Sequence, residues 1–302
     1  MAGLLNLSTY SRPDLLEQCL KSIYGLENGQ NLAKLIILQT GNNQVSKLID
    51  RFQDSSTKII KVDGSGKSPL ENINFNRWIS WKIGFEVFKS DWILSVEEDS
   101  VIHPKALLFV ETIYNTYNSD SKFRGINLGS KLTDPSLLGT YSILRYGLHG
   151  CGGVITKKTW ESFDQSELER HLAEVPIDAL IETNLKSGFM VTPNLSFYAD
   201  FGWIGGTHIS STMSQQHLNI YESFKLNTLD SDDYTEMTTA HLWRRDCIPY
   251  NRLHNSFYYL VRLLYAFTSH KLASRIQTSS LFRFLAGLTK QFIAPPIKPT
   301  NT

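Results

Sequence analysis

Short apolar runs alternate with amphipathic segments along the first half of the chain. Runs of aliphatic and β-branched residues bounded by turn residues predict buried strands. The predicted strands are Leu4–Thr9, Leu35–Leu38, Lys58–Val62 and Trp92–Glu97. Between them apolar residues recur at helical spacing, and one such helix is predicted from about Asn74 to Phe88. This β-α-β order favours an α/β fold in which a mostly parallel sheet is flanked by helices.

The pattern of the second half is less regular. A helix is predicted near residues 104–117, and a further strand at Gly125–Gly129. Residues 141–155 combine strand-forming residues with glycines. Residues 160–188 have helical spacing with a break at Pro176, which indicates two helical pieces rather than one.

Three consecutive acids, Glu97, Glu98 and Asp99, end the fourth predicted strand. Because ligands of open α/β sheets bind outside the carboxyl ends of the strands, we expect a site here. Carboxylates packed so closely repel one another, and a divalent cation that also binds phosphate oxygens relieves the repulsion. The alternative interpretation is a solvated acidic turn.

Cysteine content and the N-terminal sequence bear on the compartment. Three widely spaced cysteines among 302 residues fit neither a disulfide framework nor a zinc site, which favours a reducing environment. The N-terminal residues do not have the pattern of a secretion signal. No stretch reaches the ~18 apolar residues that a membrane span needs. We therefore expect a cytoplasmic protein.

Charge divides the chain into two parts. Residues 251–302 contain seven lysines and arginines and no acid, whereas residues 1–250 carry 23 bases and 29 acids, a net charge of −6. We predict a domain over residues 1–250 and a basic tail over residues 251–302. An acidic domain of this size disfavours a nucleic-acid partner, because it would repel phosphates.

The apolar residues of the tail form two helical stripes with basic residues outside them. Basic amphipathic helices without acids are typical of segments that lie in an anionic membrane interface. The tail therefore predicts a peripheral protein on the inner face of a membrane. The alternative is a helical hairpin that packs on the domain or in a dimer.

Two segments, taken with the acidic triplet, give a resemblance to known enzymes. Thr9–Pro13 (Thr-Tyr-Ser-Arg-Pro) follows the first strand, and Phe201–His208 (Phe-Gly-Trp-Ile-Gly-Gly-Thr-His) lies downstream of the triplet. The chain resembles the GT-A glycosyltransferases of the family-2 type and, more narrowly, the N-acetylglucosaminyltransferase I family. It departs from that narrower family at Gln39 and Thr40, where the family has an acid, and in the family's N-terminal membrane anchor.

The resemblance implies a site for a nucleoside diphosphate sugar, most simply a UDP-sugar, together with Mn²⁺ or Mg²⁺. Asp99 would be a metal ligand and His208 a second one. Glu98 would face the ribose and Glu97 the donor sugar. The remaining donor-binding residues implied are Thr9, Arg12, Thr40, Gly152 and Gly205. The alternatives are a hydrogen-bonded loop histidine for His208, a solvent-exposed turn residue for Arg12, and a tight bend for Gly152.

Asp178 is the candidate general base. It follows Pro176 at the start of a predicted helix, where the resembling family also carries its base. An inverting transfer needs one carboxylate that takes the proton of the acceptor hydroxyl. The alternative role is a helix cap, which is common for aspartate.

The sequence therefore predicts a metal-dependent, inverting glycosyltransferase that moves a sugar to a glycan or lipid-linked acceptor. One alternative is a nucleotidyltransferase that makes sugar nucleotides on a similar sheet. Such enzymes carry a glycine-rich basic loop after the first strand, where this chain has Thr9–Pro13. The other alternative is a catalytically silent scaffold held at a membrane.

Overall fold

The computed structural model describes residues 2–130, 132–144, 152–173, 177, 188–202, 211–227 and 235–236. Its strands are β1 Gly3–Thr9, β2 Ala33–Gln39, β3 Thr57–Val62, β4 Trp92–Glu97, β5 Ser100–Ile102, β6 Phe123–Asn127, β7 Thr140–Leu144, β8 Gly153–Thr156, β9 Phe189–Pro193, β10 Tyr198–Asp200 and β11 Thr235–Glu236. Its α-helices are α1 Pro13–Tyr24, α2 Asn43–Phe52, α3 Pro69–Glu86, α4 Ala106–Tyr117, α5 Lys157–Glu161, α6 Gln165–Arg170 and α7 Ser211–Leu226.

Nine of the described strands form one twisted sheet in the order β11-β7-β9-β6-β8-β4-β1-β2-β3. The first half of the chain supplies the parallel run of β3, β2, β1 and β4. Strand β8 pairs antiparallel with both β4 and β6. A mostly parallel sheet flanked by helices is therefore confirmed, and each of the first four predicted strands lies in it.

Helices cover both faces of the sheet and divide the core in two. One face packs against α1, α2 and α4 through residues such as Leu16, Val45 and Phe109. The other packs against α3 and α5, where Trp81 and Trp160 meet edge to face. The central strands β1 and β4 are buried on both faces, which explains their continuous apolar runs.

Two predicted helices have different bounds in the structure. Helix α3 begins at Pro69, because Ser68 caps it by accepting a hydrogen bond from the Glu71 amide (3.2 Å). The helical pattern over residues 160–188 yields the short helices α5 and α6 in its described part. Most of residues 174–187 and all of the 251–302 tail lie outside the described residues. Among the helices that are described, none is long and apolar enough to cross a membrane.

Strands β5 and β10 form a small antiparallel ribbon that the sequence pattern did not predict. Asp200 pairs with Ser100, and Tyr198 pairs with Ile102. The Phe201 amide also donates a hydrogen bond to the Asp99 carbonyl (2.7 Å). The ribbon thereby brings the residues just before Phe201 against the acidic triplet.

Candidate active site

The acidic triplet lies at the carboxyl end of β4, in the turn that leads into β5. Its three side chains have different environments: Glu98 and Asp99 are buried, whereas the Glu97 side chain is about one-third exposed. The triplet is thus neither a solvated turn nor three equivalent carboxylates.

Glu98 holds the loop between β1 and α1. Its carboxylate accepts hydrogen bonds from the amides of Tyr10 and Ser11 and from Nε of Arg12 (2.9 Å). The Glu98 side chain is only 2% exposed. Contact between Glu98 and a ribose stays a prediction.

Arg12 joins the β1–α1 loop to the metal-ligand candidate Asp99. Its second guanidinium nitrogen lies 2.7 Å from Oδ2 of Asp99, while its Nε binds Glu98. The Arg12 side chain is 43% exposed. A half-exposed cation on two buried carboxylates is anchored yet remains accessible to an anionic ligand.

Asp99 is buried and Asp200 is half-buried, and their carboxylates lie at the same site. Burial raises the pKa of Asp99, and the charge of Glu97 raises it further, while Arg12 acts in the opposite direction. Burial and the charge of Asp99 raise the pKa of Asp200 to about 7, although its Oδ1 accepts a hydrogen bond from the Gly202 amide (2.7 Å). The charge of Asp99 therefore opposes the ionisation of Asp200.

Gly202 keeps the space between these two carboxylates open. A Cβ at this position would lie 2.2 Å from Oδ2 of Asp99 and 3.0 Å from Oδ1 of Asp200. Oδ1 of Asp99 is buried and has no hydrogen-bond partner. Oxygen ligands of this kind suit Mn²⁺ or Mg²⁺, so the residues fit the predicted ion. The described residues contain no group of three potential ligands in metal-binding arrangement, so further ligands have to come from elsewhere.

Glu97 is held from the other side of the sheet by helix α3. The buried guanidinium of Arg77 pairs with its Oε1. The Glu97 carbonyl accepts a hydrogen bond from the thiol of Cys19 (3.3 Å).

The other predicted donor-binding residues have distinct placements. Thr9 is buried, and its hydroxyl donates to the Ile37 carbonyl (3.2 Å), so the side chain serves the sheet rather than the opening. Thr40 is exposed at the end of β2. Gly152 has φ +66°, and a Cβ there would lie 2.7 Å from the Tyr198 ring. This geometry suits a tight bend, and contact between Gly152 and a donor stays a prediction.

Asp178, Gly205 and His208 lie outside the described residues, and their roles stay predictions. The neighbour of Asp178 is described: Ile177 is buried, and its amide donates to Oδ1 of Asn74 (3.0 Å). Ile177, the residue before Asp178, is therefore attached to helix α3.

Sequence reasoning missed Asp200, Arg77 and Tyr10. Asp200 ends an apolar strand, the same signal that identified the triplet, but the strand has only three residues. Arg77 lies in a helix whose polar residues gave no sign of being buried. Tyr10 is 59% exposed beside Glu98, although a lone tyrosine in a turn is not distinctive in the sequence.

Comparison with known proteins bears on the fold. No protein-family model matches the sequence, and no curated protein matches it either. Among solved structures, TarS 1–349 from S. aureus superposes with a TM-score of 0.50 at 9% identity, over 97% of this chain and 92% of that one.

Two further matches are weaker. TarS 1–349 in complex with UDP-GlcNAc has a TM-score of 0.46 at 11% identity, over 97% of this chain and 82% of that one. The mannosyltransferase PcManGT from Pyrobaculum calidifontis, in complex with GDP-Man and Mn²⁺, has a TM-score of 0.49 at 10% identity, over 96% of this chain and 84% of that one. At such identities a likeness shows the fold alone. The predicted GT-A type of α/β fold is confirmed, whereas the N-acetylglucosaminyltransferase I resemblance stays a prediction.

Proposed function

We propose that this protein is a glycosyltransferase that uses a nucleoside diphosphate sugar and a divalent cation. One observation carries the proposal: the carboxylates of buried Asp99 and half-buried Asp200 converge on the space beside Gly202, at the carboxyl end of β4. The oxygen of Asp99 nearest to Gly202 is Oδ2, which also pairs with Arg12, while Oδ1 of Asp99 is buried and has no hydrogen-bond partner. An unpaired buried carboxylate oxygen is costly unless a cation or a proton satisfies it.

Asp99 and Asp200 would hold the Mn²⁺ or Mg²⁺, with His208 as a further ligand from the segment after Gly202. The diphosphate of the donor would complete the oxygen ligands, as is usual for these ions. When bound, such an ion supplies electrostatic stabilisation of the diphosphate leaving group.

The β1–α1 loop would receive the nucleotide. The exposed ring of Tyr10 offers an aromatic surface on which a base can stack, and its backbone is fixed by Glu98. The half-exposed guanidinium of Arg12 has donors suited to phosphate oxygens. Thr40, Gly152 and Gly205 would border the donor, with base recognition near Thr40.

Transfer itself needs a base for the acceptor. Asp178 would take the proton of the attacking hydroxyl, and the sugar would be transferred with inversion. Glu97, held by Arg77, would orient the donor sugar. We infer that the acceptor is a glycan or a lipid-linked glycan precursor.

The first test is ligand binding by the full-length protein. UDP and GDP, each with and without Mn²⁺, are added in thermal unfolding experiments. A ligand at 100 times its Kd stabilises the native state by about 2.7 kcal/mol, so the Tm rises. We expect a rise that depends on Mn²⁺ for one of the two nucleotides and that is lost in Asp99→Asn. Asp50→Asn, an exposed acid of α2, is the matched control and keeps the rise.

The second test is release of the nucleoside diphosphate from UDP-GlcNAc and GDP-Man. Mn²⁺-dependent release in the wild type, lost in Asp99→Asn, supports the proposal. Formation of a sugar nucleotide from a nucleoside triphosphate and a sugar phosphate would instead identify a nucleotidyltransferase. If no nucleotide raises the Tm and no donor is cleaved, the scaffold alternative is favoured.

We also propose that the 251–302 tail binds an anionic membrane surface, where lipid-linked acceptors reside. Sedimentation with phosphatidylserine vesicles tests this in the full chain. Arg283→Glu combined with Lys290→Glu should abolish binding, because basic residues near an anionic surface contribute about 1 kcal/mol each. Lys47→Glu combined with Arg51→Glu changes the net charge equally on α2 and should not. Equal losses in both pairs would contradict a tail-specific contact.

A further inference from the structure

Helix α3 carries a row of buried polar side chains on one face. Asn74, Arg77 and Trp81 are spaced i, i+3 and i+7, so they lie on the same side of the helix. All three residues are almost fully buried, with exposures of 1%, 6% and 1%. Burying an amide and a guanidinium is costly unless each makes specific hydrogen bonds.

Each of these side chains contacts a different part of the candidate active site. Trp81 donates from Nε1 to Oγ of Ser95 in β4 (2.9 Å). Arg77 pairs with Glu97 at the end of the same strand. Asn74 contacts the segment that precedes Asp178, which is about 100 residues away in the chain.

Asn74 makes two hydrogen bonds to that segment with its two different amide atoms. Its Nδ2 donates to the Leu172 carbonyl (2.6 Å), and its Oδ1 accepts from the Ile177 amide (3.0 Å). Leu172 and Ile177 both belong to the apolar cluster under α3. The asparagine therefore attaches both Leu172 and Ile177 to helix α3.

We propose that Asn74 is a positioning residue for sugar transfer, because it fixes the backbone next to Asp178. Asn74 lies on the same face of α3 as Arg77, which fixes Glu97. The inference rests on the proposed function and on Asp178 as its base. A base must meet the acceptor hydroxyl within hydrogen-bond distance. A displacement of about 1 Å in such a constellation costs up to 100-fold in rate.

Asn74→Leu tests the inference, because leucine has a similar size and branching but neither hydrogen bond. The matched control is Asn76→Leu, which removes another buried amide of α3, one whose Oδ1 has no partner. Hydrogen exchange at the Ile177 amide reports the contact without any assay of activity. We expect faster exchange in Asn74→Leu and no change in Asn76→Leu. Unchanged exchange in Asn74→Leu would overturn the inference.

The kinetic test uses release of nucleoside diphosphate from whichever of UDP-GlcNAc and GDP-Man the wild type cleaves. We expect kcat to fall about 10- to 100-fold in Asn74→Leu, while the Kd of the nucleoside diphosphate and the kcat of Asn76→Leu stay within about twofold. The same substitution in an Asp178→Asn background should lower kcat no further, because both changes act on one group.

The outcomes separate the inference from the proposed function. Cleavage by the wild type with an unchanged kcat in Asn74→Leu would overturn the inference and leave the function intact. Losses that multiply in the double variant would place the effect of Asn74 outside Asp178 and also overturn it. A wild type that binds no nucleotide and cleaves no donor would remove the proposed function, and the inference with it.

Discussion

A methyl group at position 202 should weaken cation binding at least about tenfold while the fold persists. The Cβ of Gly202→Ala would lie 2.2 Å from Oδ2 of Asp99, whereas ordinary contact begins at 3.4 Å. One of the two atoms must therefore retreat by about 1.2 Å. Gly202 does not have a positive φ, so the substitution adds bulk without backbone strain.

That displacement is large on the scale of metal coordination. Mg²⁺ requires oxygen ligands at about 2.0–2.1 Å in near-ideal geometry. Disturbing the groups that orient a ligand typically costs about 10- to 100-fold in metal affinity. We therefore expect the affinity of the protein for Mn²⁺, measured in the presence of UDP or GDP, to fall by at least about tenfold in Gly202→Ala.

Titration of Mn²⁺ followed by electron paramagnetic resonance measures the free ion directly and needs no acceptor. The matched control is Gly129→Ala, where a Cβ would lie 3.7 Å from the Tyr198 ring and meets no clash. Circular dichroism and urea unfolding establish that both variants are folded. If Gly202→Ala binds Mn²⁺ as tightly as Gly129→Ala, the ion does not lie between Asp99 and Asp200, and the reasoning about this space is wrong.

Three further predictions concern the groups that support the site and the sheet. Lys34→Met should lower the free energy of urea unfolding by about 2–4 kcal/mol. The Lys34 side chain is only 3% exposed, and it donates to the Gly29 and Leu32 carbonyls and to Oγ of Ser56. A loss below about 1 kcal/mol would contradict this prediction. The pKa of Asp54 is lowered from 3.8 to about 2. Burial alone would raise it, but hydrogen bonds from Ser56 and Thr57 and the charge of Lys34 outweigh that effect. The Asp54 carboxylate stabilises the native state above pH 3.8 and ceases to do so as the pH falls toward 2. The difference in free energy of unfolding between wild type and Asp54→Asn should therefore shrink over that range. A constant difference would refute the assignment. Glu98→Gln should destabilise the native state by about 1–3 kcal/mol in thermal or urea unfolding. The reason is that a side-chain amide cannot accept all three hydrogen bonds from the β1–α1 loop. Unchanged stability would mean that Glu98 does not hold that loop.

Periodicity predicted the parallel half of the sheet because three of its four strands, β1, β2 and β4, are buried on both faces. Such strands are continuous apolar runs that end abruptly, as at Glu97, and the runs are long enough to recognise. Strands β5 and β10 have three residues each and pair across 98 residues of sequence. No local pattern identifies such a partner, which is why Asp200 was not predicted while Asp99 was.

Burial of polar residues was the other feature that the sequence concealed. Asn74 and Arg77 look like the solvent side of an amphipathic helix, yet both face the protein interior. Likewise, Glu97 and Glu98 are identical residues in sequence, but one is about one-third exposed and the other almost wholly buried. Their environments depend on distant parts of the chain: Arg77 contacts Glu97, whereas the β1–α1 loop surrounds Glu98.

The charges at the site give an independent reason to expect a dication. Within the described part of the chain, four carboxylates meet at the carboxyl end of β4: Glu97, Glu98, Asp99 and Asp200. Two guanidiniums contact them, Arg77 on Glu97, and Arg12 shared between Glu98 and Asp99. Fully ionised, these six groups carry two more negative than positive charges. A monovalent ion would balance half of that excess, whereas one divalent ion would balance it all and could also accept the oxygens of a diphosphate.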